Sequence, residues 1–253
     1  MTNTHHTVVA ELYGPRAENY VTSTVHAAGA DLDQIEAAVR GCSTARVLDL
    51  GCGGGHVSYR VAPHVAEVVA VDLTPAMLEA VSRTAQERGL HNIGVQQGTA
   101  ERLPFPDGRF DILLCRFSAH HWHDFEAGIR EARRVLAPHG RAVFVDVTAP
   151  DVPLLDTHLQ AVELLRDPSH VRNYGMAEWA GALARARFAV TSVTRRRLRM
   201  EFASWVARTH APDLHAQAIR SLQEKASTEV REYFAIEADG SFLLDTLTFE
   251  AEV

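Results

Sequence analysis

Between residues 46 and 147 the chain alternates short β-branched apolar segments with segments whose apolar residues recur at helical spacing. Three helical segments, HVSYRVAPHV, PAMLEAVSRTAQERG and FEAGIREARRVLAPHG, separate five strand-like ones, RVLDLG (46–51), EVVAVD (67–72), IGVQQG (93–98), FDILLC (110–115) and RAVFVDV (141–147). The inner positions of the strand-like segments are nearly all apolar, as in parallel strands covered on both faces. Because strand–helix–strand units connect parallel strands by right-handed crossovers, we expect an open, doubly wound α/β sheet.

The flanking segments continue the mixed α/β pattern. Residues 8–40 have the pattern of one or two helices, and residues 154–186 are helical again around the loop RDPSHVRNYG. The segments FAVTSVTRRRLRM and SFLLDTLTFEAEV read as two further strands, with helices across 203–236. Since there is no Ser/Gly linker, internal repeat or low-complexity tract, the sequence predicts a single domain.

Bulk composition excludes several classes of protein. The 253 residues carry a formal net charge of -7, which argues against a protein built to hold nucleic acid. No apolar run reaches the length of about 18 residues that a membrane span needs, and the first residues do not resemble a secretory signal. Three cysteines, an odd and sparse set, suit a reducing compartment better than a disulfide framework. We therefore expect a cytoplasmic protein without a membrane span.

A glycine-rich loop follows the first strand in DLGCGGGHVS. Gly51, Gly53 and Gly55 allow a sharp turn and let a ligand approach the backbone without a Cβ in the way. The fingerprint of NAD-binding proteins needs a small residue where His56 stands, which disfavours an NAD-dependent oxidoreductase. The second strand ends in Asp72, whose carboxylate can accept hydrogen bonds from both hydroxyls of a ribose. A solvated aspartate at a strand end is the alternative.

Four motifs in order resemble the class I S-adenosylmethionine-dependent methyltransferases: VLDLGCGGGHVS, VVAVDLTPAMLEAV, GTAERLPFPDGRFDILLC and EARRVLAPHGRAVFVDV. More narrowly, they resemble the UbiE-like (methyltransferase type 11) group. The resemblance implies S-adenosylmethionine as cofactor and a Rossmann-like, seven-stranded, mainly parallel sheet with an antiparallel last strand. It also implies the division of the single domain 1–253 into an N-terminal helical cap (1–41), a cofactor-binding core (42–149) and C-terminal strands with helical lid segments (150–253).

The resemblance also assigns cofactor contacts by position. The Asp49 carboxylate and the glycine backbone would lie at the methionine moiety, and the backbone of Arg116 would meet the same end. Asp72 would bind the ribose. At the position of Thr99, many members of the family have an acid. In these enzymes an N-terminal segment, here carrying Tyr13 and Tyr20, folds over the cofactor. The expected cofactor-binding residues are Asp49, Gly51, Gly53, Gly54, Gly55, Asp72, Leu73, Met77, Thr99, Ala100, Glu101, Arg116 and Tyr20.

The segment RFSAHHWHD (116–124) follows the fourth strand, where substrate and methyl donor should meet. A metal site needs three or four converging ligands, and His120, His121 and His123 would diverge in an extended segment. A solvated histidine-rich loop is a second alternative. His121 matches a histidine common among UbiE-like relatives, so we expect it to act as a base or to orient the acceptor. His120 is the next candidate for catalysis, and His123 is a candidate for substrate contact.

Two further polar segments are candidates for function. The loop SHVRNY, where family members build a substrate lid, offers His170, Arg172, Asn173 and Tyr174 as substrate contacts, or only solvated side chains. In RRRLR (195–199), strand alternation places every second arginine on one face, most simply a solvated one.

The leading prediction is methyl transfer from S-adenosylmethionine to a small-molecule C-, O- or N-nucleophile, without a metal and without a nucleic-acid partner. Another reaction of the same cofactor, such as cyclisation, is the alternative. An NAD-dependent oxidoreductase and a non-catalytic binding module are weaker ones. The sequence leaves the acceptor open, and it is equally compatible with a monomer and a homodimer.

Overall fold

A seven-stranded sheet organises the chain in the computed structural model, which describes residues 4–17 and 28–253. Its strands are β1 (Arg46–Leu50), β2 (Glu67–Asp72), β3 (Ile93–Gln97), β4 (Phe110–Arg116), β5 (Leu136–Val147), β6 (Ala189–Met200) and β7 (Phe242–Glu252), in the order β3-β2-β1-β4-β5-β7-β6. The first five pair in parallel, whereas β7 runs antiparallel to both β5 and β6. The predicted doubly wound sheet with an antiparallel last strand is confirmed.

Helices cover both faces of the sheet. Those described are α1 (His5–Tyr13), α2 (Ala30–Val39), α3 (His56–Val61), α4 (Pro75–Glu87), α5 (Phe125–Val135), α6 (Pro153–Arg166), α7 (Met176–Arg185), α8 (Phe202–Arg208), α9 (Asp213–Glu224) and α10 (Thr228–Tyr233). Apolar residues of α2 and α3 pack on one face, and those of α5 and α7 pack on the other. None of the described helices is long and apolar enough to cross a membrane.

The third predicted helix ends earlier than expected. The pattern FEAGIREARRVLAPHG favours a helix through residue 140, but α5 ends at Val135 and β5 begins at Leu136. Pro138 cannot donate to a helical hydrogen bond. Leu136 is buried and pairs with Phe110 of β4. The register of the two strands shifts between Phe110 and Ile112, which accommodates a turn of the chain between Leu136 and Arg141, where His139 has a φ of 64°.

A group of helices stands over the edge of the sheet where β5 and β6 end and β7 begins. Residues of α6, α8, α9 and α10 form an apolar cluster with the end of β6 and the start of β7, with Trp205 at its centre. Parallel strands have their carboxyl ends at the same edge, so the loops after β1, β2 and β4 face this group. The space between them is where ligands bind in open α/β sheets.

Candidate active site

A cavity of 390 Å³ opens at this edge of the sheet. The predicted cofactor-binding residues that line it are Asp49, Gly51, Gly53, Gly54, Asp72, Leu73, Met77, Thr99, Ala100, Glu101 and Arg116. Gly55 is not among the lining residues: it stands against Tyr59, whose ring a Cβ on Gly55 would approach to 2.7 Å. Tyr20 lies outside the described residues, whereas Tyr13 lines the cavity.

The glycine loop is shaped by the segment that follows β4. Gly51 has a φ of +70°, and a Cβ there would lie 1.9 Å from the hydroxyl oxygen of Ser118. Ser118 is in turn held by the indole N–H of Trp122, at 3.1 Å. Gly53 also has a positive φ, but a Cβ on it would meet no atom of the described residues within 4 Å. The part of the chain that the structure describes therefore leaves the backbone at Gly53 open to the close approach of a ligand.

Asp72 connects the glycine loop to the start of α4. Its two carboxylate oxygens accept hydrogen bonds from the backbone N–H groups of Gly53 (3.0 Å) and Thr74 (2.8 Å). Burial raises the pKa of Asp72, and these two amides act against that shift. Each carboxylate oxygen can accept more than one hydrogen bond, so capacity remains for two ribose hydroxyls. The hydroxyl of Thr74 is buried, lines the cavity and has no hydrogen-bond partner among the described residues; sequence reasoning missed it.

Two further acidic residues stabilise the cavity wall. Asp49 is buried, and one of its oxygens accepts from the N–H (3.0 Å) and the hydroxyl (2.6 Å) of Ser58 at the start of α3. Burial raises the pKa of Asp49 to about 6. Asp31, which sequence reasoning also missed, accepts from the Nε of Arg116 at 2.5 Å. This buried ion pair holds the end of β4 against the start of α2.

The histidine segment is not extended. Phe117 adopts a φ of 53°, and residues Ala119–His121 form a short 3-10 helix. The ring centroids of His120 and His121 lie only 4.1 Å apart, but each imidazole has its own partners. Among the described residues, no group of three or more His, Cys, Asp or Glu side chains is arranged to hold a metal ion.

His120 is paired with a carboxylate. Its Nδ1 lies 2.6 Å from Asp146, whose side chain is 3% exposed at the end of β5. Burial lowers the pKa of His120, but the charges of Asp146, Glu163 and Asp167 outweigh it, and the pKa is raised. Because a carboxylate only accepts, Nδ1 carries the proton and Nε2 carries the lone pair of the neutral ring. Nε2 makes no hydrogen bond within the described part of the chain.

His121 has both ring nitrogens engaged. Its Nδ1 lies 3.1 Å from the carbonyl and the hydroxyl oxygens of Ser169, and its Nε2 lies 3.2 Å from the hydroxyl of Tyr13. Asp167 accepts from the hydroxyls of both Tyr13 and Ser169. Burial, with the nearby charge of His120, lowers the pKa of His121 to about 4. His120 therefore retains a nitrogen without a hydrogen-bond partner among the described residues, whereas both nitrogens of His121 have partners.

Of the four residues predicted in the substrate loop, Asn173 alone lines the cavity. The other three side chains contact protein elsewhere: His170 bonds Gln160 (2.8 Å), Arg172 forms ion pairs with Asp156 and Glu178, and Tyr174 stacks on Phe125 at 4.0 Å. His123 is exposed and lies against the rings of His5 and His6. The placement of His123, His170, Arg172 and Tyr174 does not support the substrate contacts expected from them.

Comparison with known proteins identifies the family of the chain. Residues 48–144 match a family model described as a methyltransferase domain. The chain is 46% identical over 201 residues to the uncharacterized protein YafE of Escherichia coli, covering 79% of this chain and 97% of YafE. It is 40% identical over 225 residues to the uncharacterized methyltransferase YcgJ of Bacillus subtilis, covering 88% of each.

Solved structures give the same result. The crystal structure of YcgJ superposes with a TM-score of 0.85 at 36% identity, covering 88% of this chain and 97% of that one. The [4+2]-cyclase SpnF has the same fold, with a TM-score of 0.66 at 18% identity, covering 98% of this chain and 96% of that one. The chain belongs to the family of class I S-adenosylmethionine-dependent methyltransferases.

S-adenosylmethionine is the cofactor of this family, and the cavity suits it. The half-buried Asp72 carboxylate and the open backbone at Gly53 would hold the ribose and the methionine end. Met77 and Ala100 offer apolar surface for the adenine.

Proposed function

We propose that this enzyme transfers a methyl group from S-adenosylmethionine to a small-molecule acceptor, with His120 as the base that takes the acceptor's proton. The observation that carries the proposal is the pair formed by His120 and Asp146 on the cavity wall. A nitrogen lone pair there is oriented by a buried carboxylate, which is the arrangement that general-base catalysis needs.

When bound, the cofactor supplies an electrophilic methyl group on a sulfonium. The residues of the chain then have three tasks: Asp72 holds the ribose, the backbone of the glycine loop holds the methionine end, and His120 Nε2 accepts the proton that leaves the acceptor's nucleophilic atom. Asp146 keeps the proton on Nδ1 and stabilises the imidazolium that forms. Positioning in a site that excludes bulk water supplies the rest of the rate enhancement.

The open cavity argues against a non-catalytic binding module, whose pocket after β4 would be filled by side chains. Cyclisation with the same cofactor has support only from the fold shared with SpnF. A base paired with a carboxylate favours methyl transfer, because an acceptor hydroxyl, amine or carbon acid must lose a proton.

The test begins with a screen of metabolites for S-adenosylhomocysteine release and methylated product. With the acceptor found, His120→Gln should lower the turnover rate by about 10²–10⁴-fold while leaving affinity for S-adenosylhomocysteine unchanged. The control His123→Gln removes an exposed neighbouring imidazole that does not line the cavity, and should keep full activity. Wild-type activity should survive EDTA.

The pH profile separates a base from a structural residue. The rate should rise with pH through a value above 6.5, the ordinary pKa of histidine, because the base must be neutral and its pKa is raised. Asp146→Asn removes the carboxylate that raises this pKa, so the rising limb should move to lower pH. Full activity in His120→Gln would refute the role of His120. Chelator-sensitive activity restored by Zn²⁺ would refute a metal-free reaction.

A further inference from the structure

The charged residues described in the cavity lining come from two parts of the chain. Those up to the loop after β4 are the acids Asp31, Asp49, Asp72 and Glu101 and the arginine Arg116. Those that follow β5 are four arginines and one acid: Arg166, Arg196, Arg197, Arg208 and Glu163. We call the part of the wall formed from Val147 onwards the acceptor chamber; its apolar surface comes from Val147, Leu198, Met200, Trp205 and Leu244.

Arg196 is an arginine of this chamber whose charge no carboxylate of the described residues compensates. Its guanidinium donates to three neutral oxygens: the hydroxyl of Thr248 (3.0 Å), the side-chain carbonyl of Gln34 (2.5 Å) and the backbone carbonyl of Ala30 (3.5 Å). It forms no ion pair with any carboxylate of the described residues. Since a guanidinium has five N–H donors, donors remain for a ligand.

The other arginines of the same strand are paired. Arg195 and Arg197 both contact the buried carboxylate of Asp245, and Arg199 pairs with Glu237. This agrees with the predicted alternation, which places these three on one face of the strand and Arg196 on the other. A half-buried charge is costly unless a charge of opposite sign meets it. Arg196 thus lies in the cavity lining without a carboxylate partner, whereas Arg197, which also contributes to the lining, is paired with Asp245.

Asn173 is a second indication of a polar ligand. Its side chain is 1% exposed and lies on the cavity wall, and its amide nitrogen is buried without a hydrogen-bond partner among the described residues. Buried polar groups are rarely left unpaired in a folded protein, and unpaired ones occur at binding sites. An amide donor requires an acceptor oxygen.

We propose that the acceptor chamber binds a small molecule with an apolar body and a carboxylate or phosphate group, whose oxyanion Arg196 binds. This rests on the proposed function in that the molecule is the methyl acceptor. β6 lies two strands from β5, whose Asp146 bonds His120, and three strands from β4, which is about 10–14 Å at the usual strand spacing. The oxyanion and the nucleophilic atom near His120 are therefore at opposite ends of the acceptor, with the apolar body between them.

The test is isothermal titration calorimetry on protein saturated with S-adenosylhomocysteine, using benzoate, phenyl phosphate and neutral benzamide as probes. Benzoate or phenyl phosphate should bind at least about tenfold more tightly than benzamide, since a charge-assisted hydrogen bond exceeds 1.4 kcal/mol, a factor of ten. Whichever anion binds better identifies the group. This comparison uses wild-type protein and does not depend on the folding of a variant.

Arg196→Gln should weaken binding of the preferred anion by about tenfold or more, and Arg196→Lys by less. The matched control is Arg199→Gln, which removes the same charge three positions along the strand, outside the cavity lining, and should leave anion affinity unchanged. Equal binding of benzamide, equal losses in Arg196→Gln and Arg199→Gln, or displacement of S-adenosylhomocysteine by the anions would each overturn the proposal. Failure of S-adenosylhomocysteine to bind would instead contradict the proposed function, because that titration is made before any anion is added.

Discussion

Single residues of this cavity have two tasks, and Asp72 is the clearest case. Its carboxylate would hold the cofactor ribose, and it also fixes the glycine loop and the start of α4 through the amides of Gly53 and Thr74. A side chain that organises the protein around itself is already in place when the ligand arrives, which lowers the cost of binding. In the same way, Asp146 holds the imidazole of His120 in place before a ligand arrives.

Asp72→Ala should weaken affinity for S-adenosylhomocysteine by about tenfold to a hundredfold, because charge-assisted hydrogen bonds of roughly 1.5–3 kcal/mol are lost. Calorimetric titration measures this. The control is Asp111→Ala, which removes another strand carboxylate, one that pairs with Arg46 away from the cavity. An unchanged dissociation constant in folded Asp72→Ala would show that the ribose is bound elsewhere.

Among the elements, α1 is attached to the protein differently from the other helices. None of its residues is buried. Tyr13 packs against the apolar cluster of Met77 and Ala80, and polar contacts add to this: His5 Nε2 bonds the carbonyl of His121 at 2.8 Å, and the Tyr13 hydroxyl bonds Asp167. His6 lies 3.6 Å from the carboxylate of Glu101. A helix held over a cavity by such contacts opens at low free-energy cost.

Tyr13→Phe should loosen α1, because it removes the hydroxyl that joins this helix to Asp167 and His121. We expect amide hydrogen exchange across residues 5–13 to become about tenfold faster or more, because the helix loses one hydrogen bond to a charged group. Mass spectrometry of exchanged peptides reports this. Tyr233→Phe, which removes a tyrosine hydroxyl from Asp245 at a distant place, is the control. Unaltered exchange in α1 would mean that other contacts hold it.

At the scale of the whole molecule, buried histidines make stability depend on pH. Burial is the main cause that lowers the pKa of His170 to about 3, from an ordinary value of 6.5. Below pH 6.5 the unfolded chain takes up a proton at His170 and the folded protein does not, so the free energy of unfolding falls as the pH falls. His121, with a pKa of about 4, acts in the same direction.

His170→Gln should therefore reduce the loss of stability on acidification. Between about pH 7.5 and about pH 5, His170 lowers the free energy of unfolding of the wild type by roughly 2 kcal/mol. Urea unfolding of wild type and variant at both values measures it, with His91→Gln, an exposed histidine, as the control. If the two variants lose stability on acidification to the same extent, His170 is protonated in the folded protein.

Local sequence was sufficient for the sheet and for the cofactor half of the cavity. Strands and crossover helices are encoded in apolar periodicity over a few residues, so the fold followed from the pattern. The glycine loop and Asp72 were predicted because each depends on its place at the end of a strand. The predicted cofactor residues line the cavity except for Gly55 and Tyr20. Tyr20 lies outside the described part of the chain.

Tertiary structure alone decided the partners of the histidines and the arginines. Asp146 meets His120 because β4 and β5 are neighbours, and Tyr13 meets His121 across 108 residues of sequence. The sequence favoured His121, but which imidazole keeps a free nitrogen depends on these distant contacts. Likewise, alternation separates Arg196 from Arg195 and Arg197, but it does not show which of these arginines meets a carboxylate. Side chains from distant segments meet only when the sheet is assembled, and this is why the chemistry of the acceptor chamber is visible only in the folded protein.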